Sequence, residues 1–225
     1  MAIRAVLFDF DGLIIDTETA WFEAFEELYR EHGHELTLEQ FALCIGTSLD
    51  AFDPYQQLID LGVGIGRDEL NALVKQRYDA RMTDADLRPG VREYLAHAKK
   101  AGLRTAIVSS SHQKWIEAYL EQFRIRDEFD ALVTADKVER VKPDPALYRL
   151  ALETLGVSAD EAIAFEDSLN GLKAANLAGI RCFVVPNSVT ASLPFDSVGF
   201  AGRLESMAGK QLADLISSLG ATTPQ

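Results

Sequence analysis

Two kinds of hydrophobic pattern divide the chain. Short, continuous apolar runs cover about residues 3–9, 104–108, 131–134, 162–165 and 181–185, each closed by a polar or turn-forming residue. Runs of this length, rich in β-branched and aromatic side chains, predict strands buried on both faces. Helical patterns separate the later runs: Pro89 to Ala101 ahead of Gly102, His112 to Gln122, a stretch to Leu155 ahead of Gly156, Leu169 to Ala178 ahead of Gly179, and Met207 to Leu219. Glycine just past a helix is an ordinary stop, and proline suits a first helical position. Gly220 to Gln225 reads as a loose tail. Strands alternating with helices of this length imply an α/β domain, a parallel sheet covered on both sides.

The stretch from Thr17 to Asp86 carries no strand pattern. Trp21, Phe22, Phe25, Leu28 and Tyr29 share one helical face, with Asp16 or Thr17 as the cap. Leu38, Phe41, Ala42 and Ile45 predict a short helix ending at Gly46. Leu49 to Leu61 predict a third, interrupted at Pro54, and Leu70 to Tyr78 a fourth. This is a small helical bundle inserted after the first strand. The expected division is a core of 1–16 and 87–225 with an inserted helical cap of 17–86. Ligands of open parallel sheets bind beyond the carboxyl ends of the strands, so the insert would hang over that crevice.

Composition narrows the partners. The 225 residues suit a core with a smaller insert. The formal charge of −13 disfavours nucleic acid and anionic membrane, which need a basic surface. Cys44 and Cys182 form neither a metal-ligand spacing nor a disulfide framework and read as free thiols of a reducing compartment. The first apolar run is too short for a secretory signal, and no run approaches the ~20 residues of a membrane span. The expectation is a cytoplasmic monomer or weak homodimer.

The candidate chemistry sits where the strands end. Asp9 and Asp11 are two apart, so both carboxylates can face one crevice, and Gly12 turns the chain and brings backbone close to a ligand. The second run ends in Ser109-Ser110-Ser111, the fourth in Glu166-Asp167-Ser168, and Lys142 precedes Pro143 in a loop after the third. Each piece alone has a plain reading: an acidic turn, a polar loop, a solvated lysine, a helix cap. Together they fall in order along one edge. Four carboxylates in one crevice would repel, which a hard cation such as Mg²⁺ relieves. Lys142, the Ser109 hydroxyl and the Ser110 N–H would hold a phosphoryl group. Asp9 would attack phosphorus, and Asp11 would protonate the leaving oxygen and later activate water.

Asp9-Phe10-Asp11-Gly12, Ser109, Lys142-Pro143 and Glu166-Asp167-Ser168 resemble the four motifs of the haloacid dehalogenase (HAD) superfamily of hydrolases. The spacing and insert resemble the subfamily of β-phosphoglucomutase, phosphoglycolate phosphatase and 2-deoxyglucose-6-phosphatase. The resemblance implies a Rossmann-like three-layer α/β/α core with strand order 5-4-1-2-3 and a helical cap. It implies Asp9 as nucleophile, Asp11 as acid/base, and Mg²⁺ held by Asp9, the Asp11 carbonyl, Glu166 and Asp167. It also implies a phosphate grip by Ser109 and Lys142. Two positions depart from the mutases, which carry a histidine where this chain has Trp21 and a phosphate-binding arginine where it has Leu49. Both favour a phosphatase acting on a small phosphorylated metabolite, a sugar or polyol phosphate, over the alternative of a mutase. A non-catalytic phosphometabolite-binding protein is the third alternative, against which the intact Asp9, Asp11, Ser109, Lys142 and Asp167 set argues. The loop Gly46-Thr47-Ser48-Leu49, with Thr47 as a substrate contact, is the expected specificity element.

Overall fold

A computed structural model describes residues 2–221. Its centre is β1 (Ala5–Phe8), wholly buried, whose alternating side chains serve two separate cores. Val6 and Phe8 enter one, Ala5 and Leu7 the other, as period-two geometry requires. β2 (Arg104–Val108), β3 (Ala131–Val133), β4 (Ala162–Glu166) and β5 (Arg181–Val184) extend the sheet, every pairing parallel. The order is β3-β2-β1-β4-β5-β6, the expected order read from its other end, with one addition. That addition, β6 (Gly202–Arg203), is two residues long, too short to leave a periodic signal. Register places Phe8, Phe165 and Phe183 side by side, and their rings stack at 5.7 and 5.5 Å across three strands.

Helices cover both faces. α5 (Val91–Lys100), α6 (Gln113–Phe123) and α9 (Leu212–Ala221) lie on the Phe8 side, while α7 (Ala146–Leu155) and α8 (Leu169–Leu177) lie on the other. Two starts differ from the sequence pattern. α5 begins at Val91, not Pro89, because Gly90 takes a left-handed turn (φ 93°) pressed against Ala208. α9 begins at Leu212, not Met207, since Met207–Gly209 forms a separate 3₁₀ turn capped by Ser206. It runs through Gly220 to Ala221, where a loose tail was expected, and the rest of that stretch, 222–225, lies outside the described residues.

The inserted cap comprises α1 (Thr17–Glu31), α2 (Leu38–Phe41), α3 (Pro54–Asp60) and α4 (Arg67–Met82). α2 stops at Phe41, short of Gly46. Pro54 opens α3 rather than interrupting it, because the Asp53 carboxylate caps the N–H groups of Tyr55 and Gln56. α1 and α4 run antiparallel, with Glu23, Glu27 and Glu31 facing Arg81 and Arg77. The two strands of chain that enter and leave the cap pair with each other. Ile15 bridges Leu87, and the Arg88 N–H donates to the Ile14 carbonyl at 2.9 Å. No helix of the described residues is long and apolar enough to cross a membrane.

Candidate active site

β1 ends at Phe8, and the next residue already carries chemistry. The Asp9 N–H donates to the Phe165 carbonyl at 3.0 Å, so sheet geometry continues through Asp9. This buries Asp9 among the groups at the carboxyl end of β4. Its Oδ1 accepts from Lys142 Nζ at 2.6 Å, and the same ammonium lies 2.7 Å from Glu166 Oε1. Lys142 is fully buried. Burial alone would lower its pKa, but the Asp9 and Glu166 carboxylates outweigh that and hold it above the ordinary lysine range. The Tyr148 hydroxyl, from α7, makes a short hydrogen bond to Glu166 Oε1, which fixes the oxygen facing Lys142.

Asp9, Glu166 and Asp167 bring carboxylate oxygens within 4.8 Å of one another, all buried. Burial raises the pKa of Glu166, with the Asp9 charge adding to it. Burial likewise pushes Asp167 well above the carboxylate range, with Asp9, Glu18 and Glu166 adding and Arg88 opposing. Two buried oxygens, Asp167 Oδ1 and Glu166 Oε2, have no hydrogen-bond partner. Orphaned, crowded carboxylate oxygens are a donor set suited to a hard divalent cation, so these residues fit a metal.

Asp11 is held apart from this trio by four donors. Oδ1 accepts from Thr17 Oγ1 and Trp115 Nε1, each at 2.9 Å; Oδ2 accepts from Ser111 Oγ at 2.6 Å and more weakly from Ser109 Oγ at 3.5 Å. Burial raises its pKa even against the lowering effect of the Ser111 and Trp115 bonds.

The remaining predicted residues fall near these. Ser109 is buried just past the end of β2 and its Oγ also accepts from the Ser111 N–H at 3.0 Å. Ser110 turns its hydroxyl to the cap, donating to the Gly46 carbonyl at 3.0 Å, and Asn170 Nδ2 donates to the neighbouring Ile45 carbonyl at 2.9 Å. The Gly46-Thr47 loop is thus docked on the core beside the carboxylates. Gly12, at φ 76°, spends its N–H on the Ile15 carbonyl at 2.8 Å. It lies so close to Asp167 that a Cβ there would sit 2.1 Å from Oδ2. Its N–H is therefore occupied within the turn.

Besides Thr17 and Asn170, four further residues were not singled out from sequence as part of this region. Arg88 donates to the carbonyls of Gly12, Val185 (2.9 Å) and Pro186 (2.8 Å), tying the cap exit to two core loops. Asn187 donates to Asp167 Oδ2 at 2.8 Å. Tyr148 and Trp115 reach in from helix faces. Only Asn187, just past a strand end, carried a positional signal; the others needed the fold.

A family model described as haloacid dehalogenase-like hydrolase matches residues 6–185. The chain belongs to this family. Relatives of this hydrolase include YhcW of Bacillus subtilis (strain 168), a candidate phosphatase 45% identical over 218 residues, 96% of this chain and 98% of that one. Hexitol phosphatase B of Escherichia coli (strain K12) is 33% identical over 186 residues, 82% and 84% of the two chains. Among solved structures, CbbY from Rhodobacter sphaeroides in complex with phosphate superposes with a TM-score of 0.74 at 32% identity, covering 95% of this hydrolase and 99% of CbbY.

Proposed function

We propose that this hydrolase is a Mg²⁺-dependent phosphatase acting on a small phosphorylated metabolite, a sugar or polyol phosphate, through an aspartyl-phosphate. The observation that carries this is the Asp9–Lys142 contact beside two orphaned carboxylate oxygens. It supports a nucleophilic carboxylate, a fixed cation and a metal seat at one point. The likeness to a hexitol phosphatase supports the substrate class.

Asp9 attacks phosphorus through a side-chain oxygen, and the bond from phosphorus to the leaving oxygen breaks. Asp11 gives that oxygen a proton, then takes one from the water that hydrolyses the aspartyl-phosphate. Lys142 neutralises charge on the transferring group and Ser109 donates its hydroxyl to it. Mg²⁺, which Asp9, Glu166, Asp167 and the Asp11 carbonyl would hold, supplies charge neutralisation of the phosphoryl oxygens. The cap, taken as residues 17–86, hinges where Ile15 pairs with Leu87, and Thr47 on its docked loop meets the substrate.

Product analysis across phosphorylated sugars and polyols, with Mg²⁺ and with a chelator, tests this. Mg²⁺-dependent release of inorganic phosphate is expected. Conversion of β-glucose 1-phosphate to glucose 6-phosphate without phosphate release would overturn it in favour of a mutase.

A further inference from the structure

Trp115 belongs to the core, on the first turn of α6, yet its two ends touch different things. Its Nε1 donates to Asp11 Oδ1 at 2.9 Å. Its ring joins an aromatic cluster that crosses from core to cap. Trp21 of α1 stacks on Tyr78 of α4 at 4.0 Å and 18°, and both lie against Trp115, at 6.3 and 5.7 Å. Tyr119, one turn along α6, packs edge-on to Trp115 at 5.1 Å, and its hydroxyl meets that of Tyr78 at 2.6 Å.

The other three donors on Asp11 are hydroxyls. A hydroxyl can rotate, donating to a carboxylate or accepting from a carboxylic acid. An indole N–H only donates, from a rigid ring whose place is set by packing. Trp115 therefore keeps Oδ1 as an acceptor, leaving Oδ2 as the oxygen that carries the transferable proton. The cap rings Trp21 and Tyr78 fix the plane of that indole.

We propose that Trp115 is a positioning residue for proton transfer by Asp11, and that the Trp21–Tyr78–Trp115 cluster makes its alignment depend on the cap. This rests on the phosphatase reading above. The step is unchanged in its balance: the proton leaves Asp11 Oδ2 for the leaving oxygen as the Asp9–phosphorus bond forms. How much a substrate depends on Trp115 follows from its leaving group. An alkoxide leaving group requires the proton, whereas p-nitrophenolate or acetate departs without it.

The test is Trp115→Phe, which keeps a ring and removes the N–H. kcat/KM reports the steps through phosphoryl transfer and is compared on two kinds of substrate. We expect a loss of about tenfold or more on a sugar or polyol phosphate, and of less than about threefold on p-nitrophenyl phosphate and acetyl phosphate. Trp21→Leu, which does not touch Asp11, should show the same dependence on leaving group. Equal losses on both kinds of substrate, or none, would overturn the proposal and leave Trp115 a packing residue. A wild-type enzyme that releases phosphate from none of these substrates would instead count against the phosphatase reading. One readout needs no turnover. The chain has two tryptophans, both in the cluster, so their exciton-coupled circular dichroism should be present and vanish in Trp115→Phe and in Trp21→Phe. Its absence from the wild type would overturn the core-to-cap cluster.

Discussion

Lys142 Nζ lies 2.6 Å from Asp9 Oδ1, and the lysine side chain is fully excluded from solvent. The same ammonium serves Glu166 at 2.7 Å. Removing it leaves two buried carboxylates facing each other. Breaking a buried ion pair from one side costs roughly 3–5 kcal/mol. Lys142→Met should therefore lower Tm by roughly 10 °C and reduce turnover at least about 10²-fold. A divalent cation would offset the unpaired charge, so thermal melts with Mg²⁺ should recover part of the loss and melts with a chelator none. A variant as stable as wild type would deny the pairing its structural weight.

Asp9→Asn keeps the shape and the hydrogen-bonding edge but removes the nucleophilic charge. Its Tm should stay within a few degrees of wild type, because Lys142 keeps its pairing with Glu166 at 2.7 Å, while kcat falls by more than about 10³-fold. Intact-mass analysis of acid-quenched reactions should find one added phosphoryl group on the wild type and none on this variant. Most activity surviving the change would remove Asp9 as nucleophile.

Gly12 combines two constraints that one methyl group would violate. Its φ of 76° is a left-handed conformation, and its missing Cβ leaves room for Asp167, whose Oδ2 would otherwise be 2.1 Å away. The carboxylate cannot simply swing aside, because Asn187 holds that oxygen at 2.8 Å. Gly12→Ala should cost about 1–3 kcal/mol in denaturant unfolding and weaken Mg²⁺ binding, seen as a rise in the Mg²⁺ concentration needed for half-maximal rate. An unchanged Mg²⁺ requirement would show that Asp167 does not depend on Gly12 for its place.

The strands and the groups at their ends were legible because both are local. Phe8, Phe165 and Phe183 sit in continuous apolar runs, and Asp9 and Glu166 follow directly. Lys142 was legible only as a lysine before a proline; its burial between two carboxylates depends on how the loop after β3 folds under β4. Tyr148 and Trp115 could not be found by periodicity, since a helix face that is partly core gives no sign of which ring also carries a hydrogen bond inward. Arg88 binds through backbone carbonyls of residues 76, 97 and 98 positions away, a pattern with no sequence trace. Pro54 misled the reading of the cap, because a proline within an apolar pattern marks an interruption or a start, and only the Asp53 cap decides between them.

α6, which carries Trp115, begins without a cap of its own: the side chain of its N-cap residue, His112, makes no capping bond. The bond comes from outside. Asp136, in the turn after β3, accepts from the Gln113 N–H at 2.6 Å, His112 Nδ1 at 2.8 Å and Thr134 Oγ1 at 3.2 Å. The Gln113 N–H, then His112, holds its carboxyl down at about 2 against an ordinary 3.8. A carboxylate whose pKa is lower in the folded state stabilises the fold above its unfolded pKa, and that contribution fades as pH falls through the folded value. Asp136→Asn should therefore lower Tm at pH 7, and the gap from wild type should close between about pH 4 and pH 2. Melting curves of both proteins across that range check it. A gap independent of pH would mean that Asp136 acts through its shape and neutral hydrogen bonds rather than its charge.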